Sequence, residues 1–118
     1  MTMNLNKIIY KIGKSELIDI VEHLKTCDDS FVPKLSSDVK IEEYSKKIFK
    51  NAVTFEAWQN EKLVGLVAAY LNETKRQQGF ITNVSVIKSH TRQGIGKQLL
   101  LNCEEYSQKV GFKTLKLE

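Results

Sequence analysis

Apolar residues recur along this chain with two spacings, and each spacing predicts a different kind of element. Apolar positions three and four apart predict amphipathic helices over residues 16–26, 38–51 and 94–110. Alternating or continuous apolar runs predict strands over residues 7–11, 52–59, 63–71, 80–87 and 112–117. The chain therefore alternates between the two kinds of element, which is typical of an α/β domain.

The order of these elements predicts a single domain over residues 1–118. Residues 52–59 and 63–71 flank a tight turn at Asn60-Glu61, so we expect an antiparallel hairpin. Residues 63–71 are almost continuously apolar, which is typical of a central strand buried on both faces. The final strand, helix and strand predict a parallel pair joined by a right-handed crossover. A chain of 118 residues is long enough for one core and too short for two.

The turn before the last helix carries two glycines, Gly94 and Gly96. Glycine lets the backbone approach a ligand closely, because no Cβ stands in the way. A helix that begins there offers unpaired N–H groups and the positive end of its dipole, which together suit a phosphate. Arg92 and Lys97 add positive charge beside those groups. The turn therefore predicts a pyrophosphate site.

Its spacing differs from two other phosphate-binding loops. A P-loop ending in Gly13-Lys14-Ser15 would need a glycine where the chain has Ile8. A dinucleotide-binding fingerprint starting at Gly94 would need a third glycine where the chain has Leu99.

The stretch from Val86 to Leu100 resembles motif A of the GNAT superfamily of N-acetyltransferases, which is Arg/Gln-x-x-Gly-x-Gly/Ala after a strand. Two positions depart from it, since Thr91 stands at the Arg/Gln position and Lys88 replaces the usual proline. The resemblance implies a GNAT-like α/β fold. Such a fold has a mixed, mostly antiparallel sheet with helices on both faces and a parallel pair around the cofactor-binding turn.

The resemblance also implies acetyl-CoA as acyl donor. Its pyrophosphate would lie on the backbone amides of the turn, and its pantetheine arm would run along the preceding strand. The matching strand positions are Val84, Val86 and Ile87. The matching turn positions are Arg92, Gln93, Gly94, Ile95, Gly96 and Lys97.

The implied reaction is transfer of an acetyl group to a primary amine of a small molecule or peptide. Residues 80–87 contain no carboxylate, so Asn83 and Ser85 are candidates for contacting the acceptor or ordering a water, or equally for hydrogen bonding within the core. Glu56, on the hairpin, is the nearest carboxylate on a strand, although a solvent-facing position is the preferred interpretation. In many relatives a tyrosine beyond the last strand seen here is the general acid. Because this sequence does not include the segment that would carry that tyrosine, we expect weak or absent turnover. The alternative is a CoA-binding module without catalysis.

Two further interpretations concern the helices and the loop that follows the first of them. We interpret His23 as a helix-flank residue and Cys103 as a core residue. By the resemblance, Asp28, Asp29 and Phe31 border the acceptor, although a capped surface loop is preferred for the two aspartates.

The overall charge changes this picture little. Eighteen Lys and Arg against 14 Asp and Glu give a net charge of +4. The chain has no dense run of basic residues and no aromatic residues interleaved with Lys and Arg, so we do not expect a nucleic-acid partner.

The cysteines, the apolar runs and the last strand complete the sequence-level predictions. Cys27 and Cys103 form no CxxC motif, and His23 and His90 do not stand at metal-ligand spacing to them, so no metal is expected. No apolar run is long enough to span a bilayer, and two thiols suit a reducing cytoplasm. The last strand would leave an apolar edge, through which we expect self-association as a homo-oligomer.

Overall fold

The computed structural model describes residues 6–73, 75 and 77–117, and its strands form one sheet in chain order. The strands are β1 (Ile9–Ile12), β2 (Val53–Gln59), β3 (Lys62–Tyr70), β4 (Gln78–Val86) and β5 (Thr114–Leu117). Neighbours from β1 to β4 are antiparallel, and β4 pairs with β5 in parallel. The predicted hairpin, central strand and parallel pair are therefore confirmed.

The helices cover both faces of this sheet, as the amphipathic spacing predicts. They are α1 (Leu17–Cys27), α2 (Leu35–Asp38), α3 (Ile41–Asn51) and α4 (Ile95–Lys109). Under α1 and α3 lies one apolar cluster, and under α4 lies the other. The first contains Ile20, Leu24, Ile41, Ile48, Leu66 and Ala68, and the second includes Phe55, Ala57, Val67, Ile81, Ile95 and Leu99. No described helix is both long and apolar enough to cross a membrane.

The predicted helix over residues 38–51 is wrong at its start. Val39 is extended, with φ −140° and ψ 158°, and it separates the single turn of α2 from α3. The polar run around Ser36 and Ser37 carries no apolar periodicity that could reveal the extra turn. The break leaves α3 to begin at Ile41, a buried residue that anchors it on the sheet.

Candidate cofactor and acceptor site

The loop between β4 and α4 enters the left-handed region twice before the helix begins. Arg92 has φ 65° and Gly94 has φ 79°. Gly94 is the N-cap of α4, and no side-chain cap is present. The N–H of Gln98 bonds back to the Gly94 carbonyl at 3.0 Å, so the amides before it have no acceptor within the helix. An uncapped helix N-terminus of this kind favours an anion.

The second glycine of the turn keeps this N-terminus accessible. A Cβ built at Gly96 would meet only Val86 Cγ2, at 3.8 Å, so packing does not demand the glycine. The side chain of Ile95 is 2% exposed and lies in the core, so this residue offers only its amide. The exposed residues of the predicted turn are Arg92, Gln93, Gly94 and Lys97.

A third glycine, in the sheet, sets how closely α4 approaches. A Cβ at Gly65 on β3 would lie 2.8 Å from Ile95 Cγ2 and 3.1 Å from Leu99 Cδ1. Real side chains do not approach that closely, so the first turn of α4 sits where a side chain of β3 would otherwise be. The position of the helix N-terminus is therefore fixed by contact with the middle of the sheet.

Beyond this turn, β4 has a stretch that no described strand covers on its outer side. The pairing with β5 begins at Gln78 and ends with Ile81 opposite Leu117, whereas the pairing with β3 continues to Val86. In an antiparallel ladder successive residues point their N–H and C=O groups to alternate sides. Ile87 N–H donates to the Val64 carbonyl at 2.9 Å, which is the β3 side. By this alternation, the main-chain groups of Val84 and Val86 face the uncovered side.

Ile87 itself has no free main-chain group. Its N–H is bonded to Val64, and its carbonyl accepts from His90 N–H at 2.9 Å. Its side chain is only 4% exposed. Of the three predicted strand positions, Val84 and Val86 therefore have main-chain groups on the side that no described strand covers, whereas those of Ile87 are bonded within the sheet and the loop.

Glu56 does not face solvent, and that interpretation of the sequence is wrong. Its side chain is fully buried on β2, at 0% exposure. Five donors surround the carboxylate: Lys14 N–H at 3.1 Å, Ser15 N–H at 2.9 Å, Ser15 Oγ at 2.6 Å, Thr54 Oγ1 at 2.6 Å and Trp58 Nε1 at 3.1 Å. The carboxylate thus ties the start of α1 to β2.

The same contacts determine the charge of Glu56. Burial alone would raise its pKa, but the hydrogen bonds from Ser15, Thr54 and Trp58 outweigh burial and hold the pKa below the ordinary glutamate value. A carboxylate that is anionic and surrounded by donors is a poor general base. We therefore assign Glu56 a structural role.

Asn83 and Ser85 lie on the face of β4 that α1 covers, and they meet a residue that the sequence interpretation assigned to a helix flank. His23 is 2% exposed, with Nε2 2.9 Å from Ser85 Oγ and Nδ1 3.1 Å from the Leu63 carbonyl oxygen. Ser85 Oγ lies 2.8 Å from the terminal amide of Asn83. The interpretation of His23 is therefore wrong, and the two β4 residues belong to a buried polar chain.

Cys27 adds a weaker contact to this chain. Its Sγ lies 3.7 Å from His23 Nε2. Cys27 stands four positions after His23 on one helix, a spacing at which side chains meet. The sequence therefore held a signal for this pair that our interpretation missed. Burial raises the pKa of the Cys27 thiol to about 11, so the thiol is protonated at neutral pH.

The segment after α1 is a capped surface loop, as preferred for its aspartates. Asp28 accepts from Ser36 N–H and Ser36 Oγ, both at 2.7 Å. Asp29 pairs with Lys34 at 3.1 Å on the surface. Among the described residues, no group of three or more His, Cys, Asp and Glu side chains is placed to hold a metal ion.

Comparison with known sequences gives one family for most of the chain. The acetyltransferase (GNAT) family pattern matches residues 17–118. Two similar proteins of Bacillus subtilis are described as uncharacterized N-acetyltransferases. YvbK is 27% identical over 115 residues, which are 98% of this chain and 66% of YvbK. YsnE is 36% identical over 67 residues, which are 56% of this chain and 43% of YsnE. The chain thus spans less than two thirds of the curated relatives it matches.

Solved structures share the fold. One is an aminoglycoside acetyltransferase, meta-AAC0020, from an uncultured soil metagenomic sample in complex with sisomicin. It has a TM-score of 0.70 and 23% identity, over 97% of this chain and 77% of that one. Another is aminoglycoside N-acetyltransferase AAC(6')-Iy in complex with CoA, with a TM-score of 0.70 and 14% identity, over 100% of this chain and 80% of that one.

Proposed function

Because the chain belongs to the acetyltransferase (GNAT) family, we propose that it binds acetyl-CoA and transfers the acetyl group to a primary amine. The observation that carries this proposal is the uncapped N-terminus of α4, placed directly beside the uncovered stretch of β4. One feature suits the pyrophosphate and the other suits an extended, amide-containing arm. The solved relative that contains CoA supports the same ligand class.

The pyrophosphate would accept hydrogen bonds from the amides of the first turn of α4. Its negative charge is favoured there by the helix dipole and by the side chains of Arg92 and Lys97. Gly94 and Gly96 give the phosphates room to approach the backbone. Gln93 and Ile95 complete the turn, the first with an exposed side chain and the second through its amide.

The pantetheine arm would then run back along β4. Its amides would pair with the main-chain groups of Val84 and Val86, in the way that an added strand pairs with a sheet edge. This direction brings the thioester away from the turn and toward Asn83, where the acceptor amine would meet it.

Acetyl transfer requires a neutral amine, stabilisation of the tetrahedral oxyanion and a proton for the leaving thiolate. Peptides and small molecules both carry suitable primary amines, and the sisomicin complex of a solved relative supports the small-molecule class. Of the residues named from the sequence, Asn83 would lie nearest this point, whereas Ser85 is bonded to His23 and Glu56 to the residues before α1.

A CoA-binding module without catalysis is the second candidate. It is favoured by the lack of any carboxylate on β4 and by burial, which lowers the pKa of His23 to about 4 and makes it a weak base. The two candidates differ in turnover. Binding of acetyl-CoA without acetylation of a broad panel of primary amines would favour the second.

Titration calorimetry with acetyl-CoA tests the shared part of both candidates. Gly96→Val should abolish binding while the far-UV spectrum stays unchanged, because a Cβ at Gly96 has room in the fold but would obstruct the phosphates. Gln108→Val, which places the same side chain at the exposed far end of α4, is the matched control and should bind normally. Unchanged affinity in Gly96→Val would contradict the assignment of the turn.

A further inference from the structure

The hydrogen bonds of the buried chain His23, Ser85 and Asn83 determine which of its atoms carry protons. The Leu63 carbonyl can only accept, so the hydrogen bond at 3.1 Å requires a proton on His23 Nδ1. Burial lowers the pKa of His23 to about 4, so the ring is neutral at pH 7 and holds one proton. Nε2 is therefore an acceptor.

An acceptor at Nε2 needs a donor, and Ser85 Oγ at 2.9 Å is the strong one. Cys27 Sγ is farther, at 3.7 Å, and a thiol is a weak donor. If Ser85 turned its proton elsewhere, two lone pairs would face each other at 2.9 Å inside the core, which is costly. The single proton of Ser85 is thus committed to His23.

This commitment decides the orientation of Asn83. In the structure, Asn83 Oδ1 is the amide atom that lies 2.8 Å from Ser85 Oγ. In that orientation the single proton of Ser85 would have to be donated both to Asn83 Oδ1 and to His23 Nε2. The two ends of the amide have nearly the same shape and are assigned from their hydrogen bonds. Turning the amide over lets its nitrogen donate to Ser85, so that the Ser85 hydroxyl accepts from Asn83 and donates to His23.

The turned amide then presents its oxygen on the other side. The second terminal atom of Asn83 makes no hydrogen bond to the described residues. It is not fully buried, and the residue as a whole is 5% exposed. Asn83 also lies beyond Ile81, the last β4 residue that pairs with the described part of β5. This atom is therefore unpaired beside the stretch of β4 that no described strand covers, which we call the opening.

We propose that His23 and Ser85 are positioning residues that hold the Asn83 amide with Oδ1 toward this opening, where it accepts a hydrogen bond from an N–H of the acceptor amine. The proposal rests on the proposed function, because it places the amine beside the thioester. An amide oxygen orients the N–H bonds and leaves the nitrogen lone pair free to attack. The site would favour acceptors with an N–H to donate, and it would not itself remove the proton.

Nuclear magnetic resonance tests the orientation without any turnover. At pH 7 the imidazole nitrogen shifts of His23 should show the neutral ring protonated at Nδ1. The side-chain NH₂ protons of Asn83 should exchange slowly with water and should shift in Ser85→Ala. Ser89→Ala, which removes an exposed serine hydroxyl, is the matched control and should leave them unchanged. A charged or Nε2-protonated His23, or an Asn83 amide indifferent to Ser85→Ala, would overturn the proposal.

Kinetics with acetyl-CoA and sisomicin test the role. Asn83→Leu should raise KM for the amine about five- to tenfold with little change in kcat, because the amine loses its oxygen acceptor. His23→Phe should raise KM in the parent and have no further effect on Asn83→Leu. An unchanged KM in Asn83→Leu would refute the role. Calorimetry separates the two proposals. If the parent chain does not bind acetyl-CoA, the proposed function is refuted, but the orientation of Asn83 measured by magnetic resonance is unaffected.

Discussion

Replacing Glu56 with glutamine tests whether a buried charge organises the start of α1. The change keeps the shape of the side chain but substitutes an NH₂ group for one of the two carboxylate oxygens. The shorter contacts, from Ser15 and Thr54, converge on Oε2, and those from Lys14 and Trp58 include Oε1. A glutamine that keeps its oxygen on the Oε2 side would turn its NH₂ toward the indole N–H of Trp58.

The expected cost follows from these contacts. At least one buried donor, Trp58 Nε1, loses its acceptor, and the Lys14 amide keeps only one of two. The bonds that survive are no longer charge-assisted. We expect Glu56→Gln to lower the free energy of unfolding by about 3–5 kcal/mol. Since a domain of this kind is stable by about 5–15 kcal/mol, such a loss is a large fraction of the total.

Urea denaturation across a pH series measures this loss. Because folding lowers the pKa of Glu56, its charged form stabilises the fold above the ordinary glutamate pKa, and this stabilisation disappears as the pH falls through the lowered value. Glutamine does not titrate. The gap in stability between the two proteins should therefore be constant between about pH 6 and pH 8 and should narrow in acid.

Glu22→Gln is the matched control, because Glu22 is an exposed residue of α1 and should change stability little. A gap below about 1 kcal/mol between Glu56→Gln and the parent would refute the reasoning, since even one orphaned buried donor costs that much. A gap that stays constant into acid would show that the charge of Glu56 is not what matters.

Three further predictions concern the cofactor turn, the packing of α4 on the sheet and the outer edge of β5. Replacing Arg92 and Lys97 together with glutamine should weaken acetyl-CoA binding more at low salt than at high salt, as calorimetry can show, and a salt-independent loss would indicate a structural role. Gly65→Ala should destabilise the fold by about 1–3 kcal/mol in urea denaturation, because its Cβ would press on Ile95, and wild-type stability would contradict the close packing. The outer edge of β5 carries Leu117 at 66% exposure, so we propose that the chain self-associates there, and a monomer in sedimentation at high concentration would refute this.

The elements of the fold were predictable because their signals are local. Helix α4 needs only apolar residues at helical spacing and a glycine before it, and both are legible in the sequence. The turn could be placed for the same reason, since Gly94 and Gly96 stand beside the residues they serve. Only details that depend on one residue, such as the extended Val39, were missed.

The contacts within the site were not predictable, because their partners are distant in sequence. Glu56 meets Ser15 across 41 positions, and His23 meets Ser85 across 62. Alternation along β2 places Glu56 on the face of the strand that does not carry Phe55 and Ala57. Only the fold reveals that this face is buried as well. Polar residues on a central strand, such as Asn83 and Ser85, were one signal of a buried polar chain. The spacing of His23 and Cys27 on α1 was a second signal.

The seating of α4 against Gly65 also bears on how the cofactor turn can diverge. Ile95 and Leu99 pack where a side chain at position 65 would lie, so the absence of that side chain lets the first turn of α4 approach the sheet. Lys88 and Thr91 depart from the GNAT motif in this loop, and the N-terminus of α4 still has no side-chain cap. We therefore expect the fold to tolerate substitutions in the loop but not at Gly65. A sequence signature taken only from the turn would omit Gly65, the residue that determines how closely the N-terminus of α4 approaches the sheet.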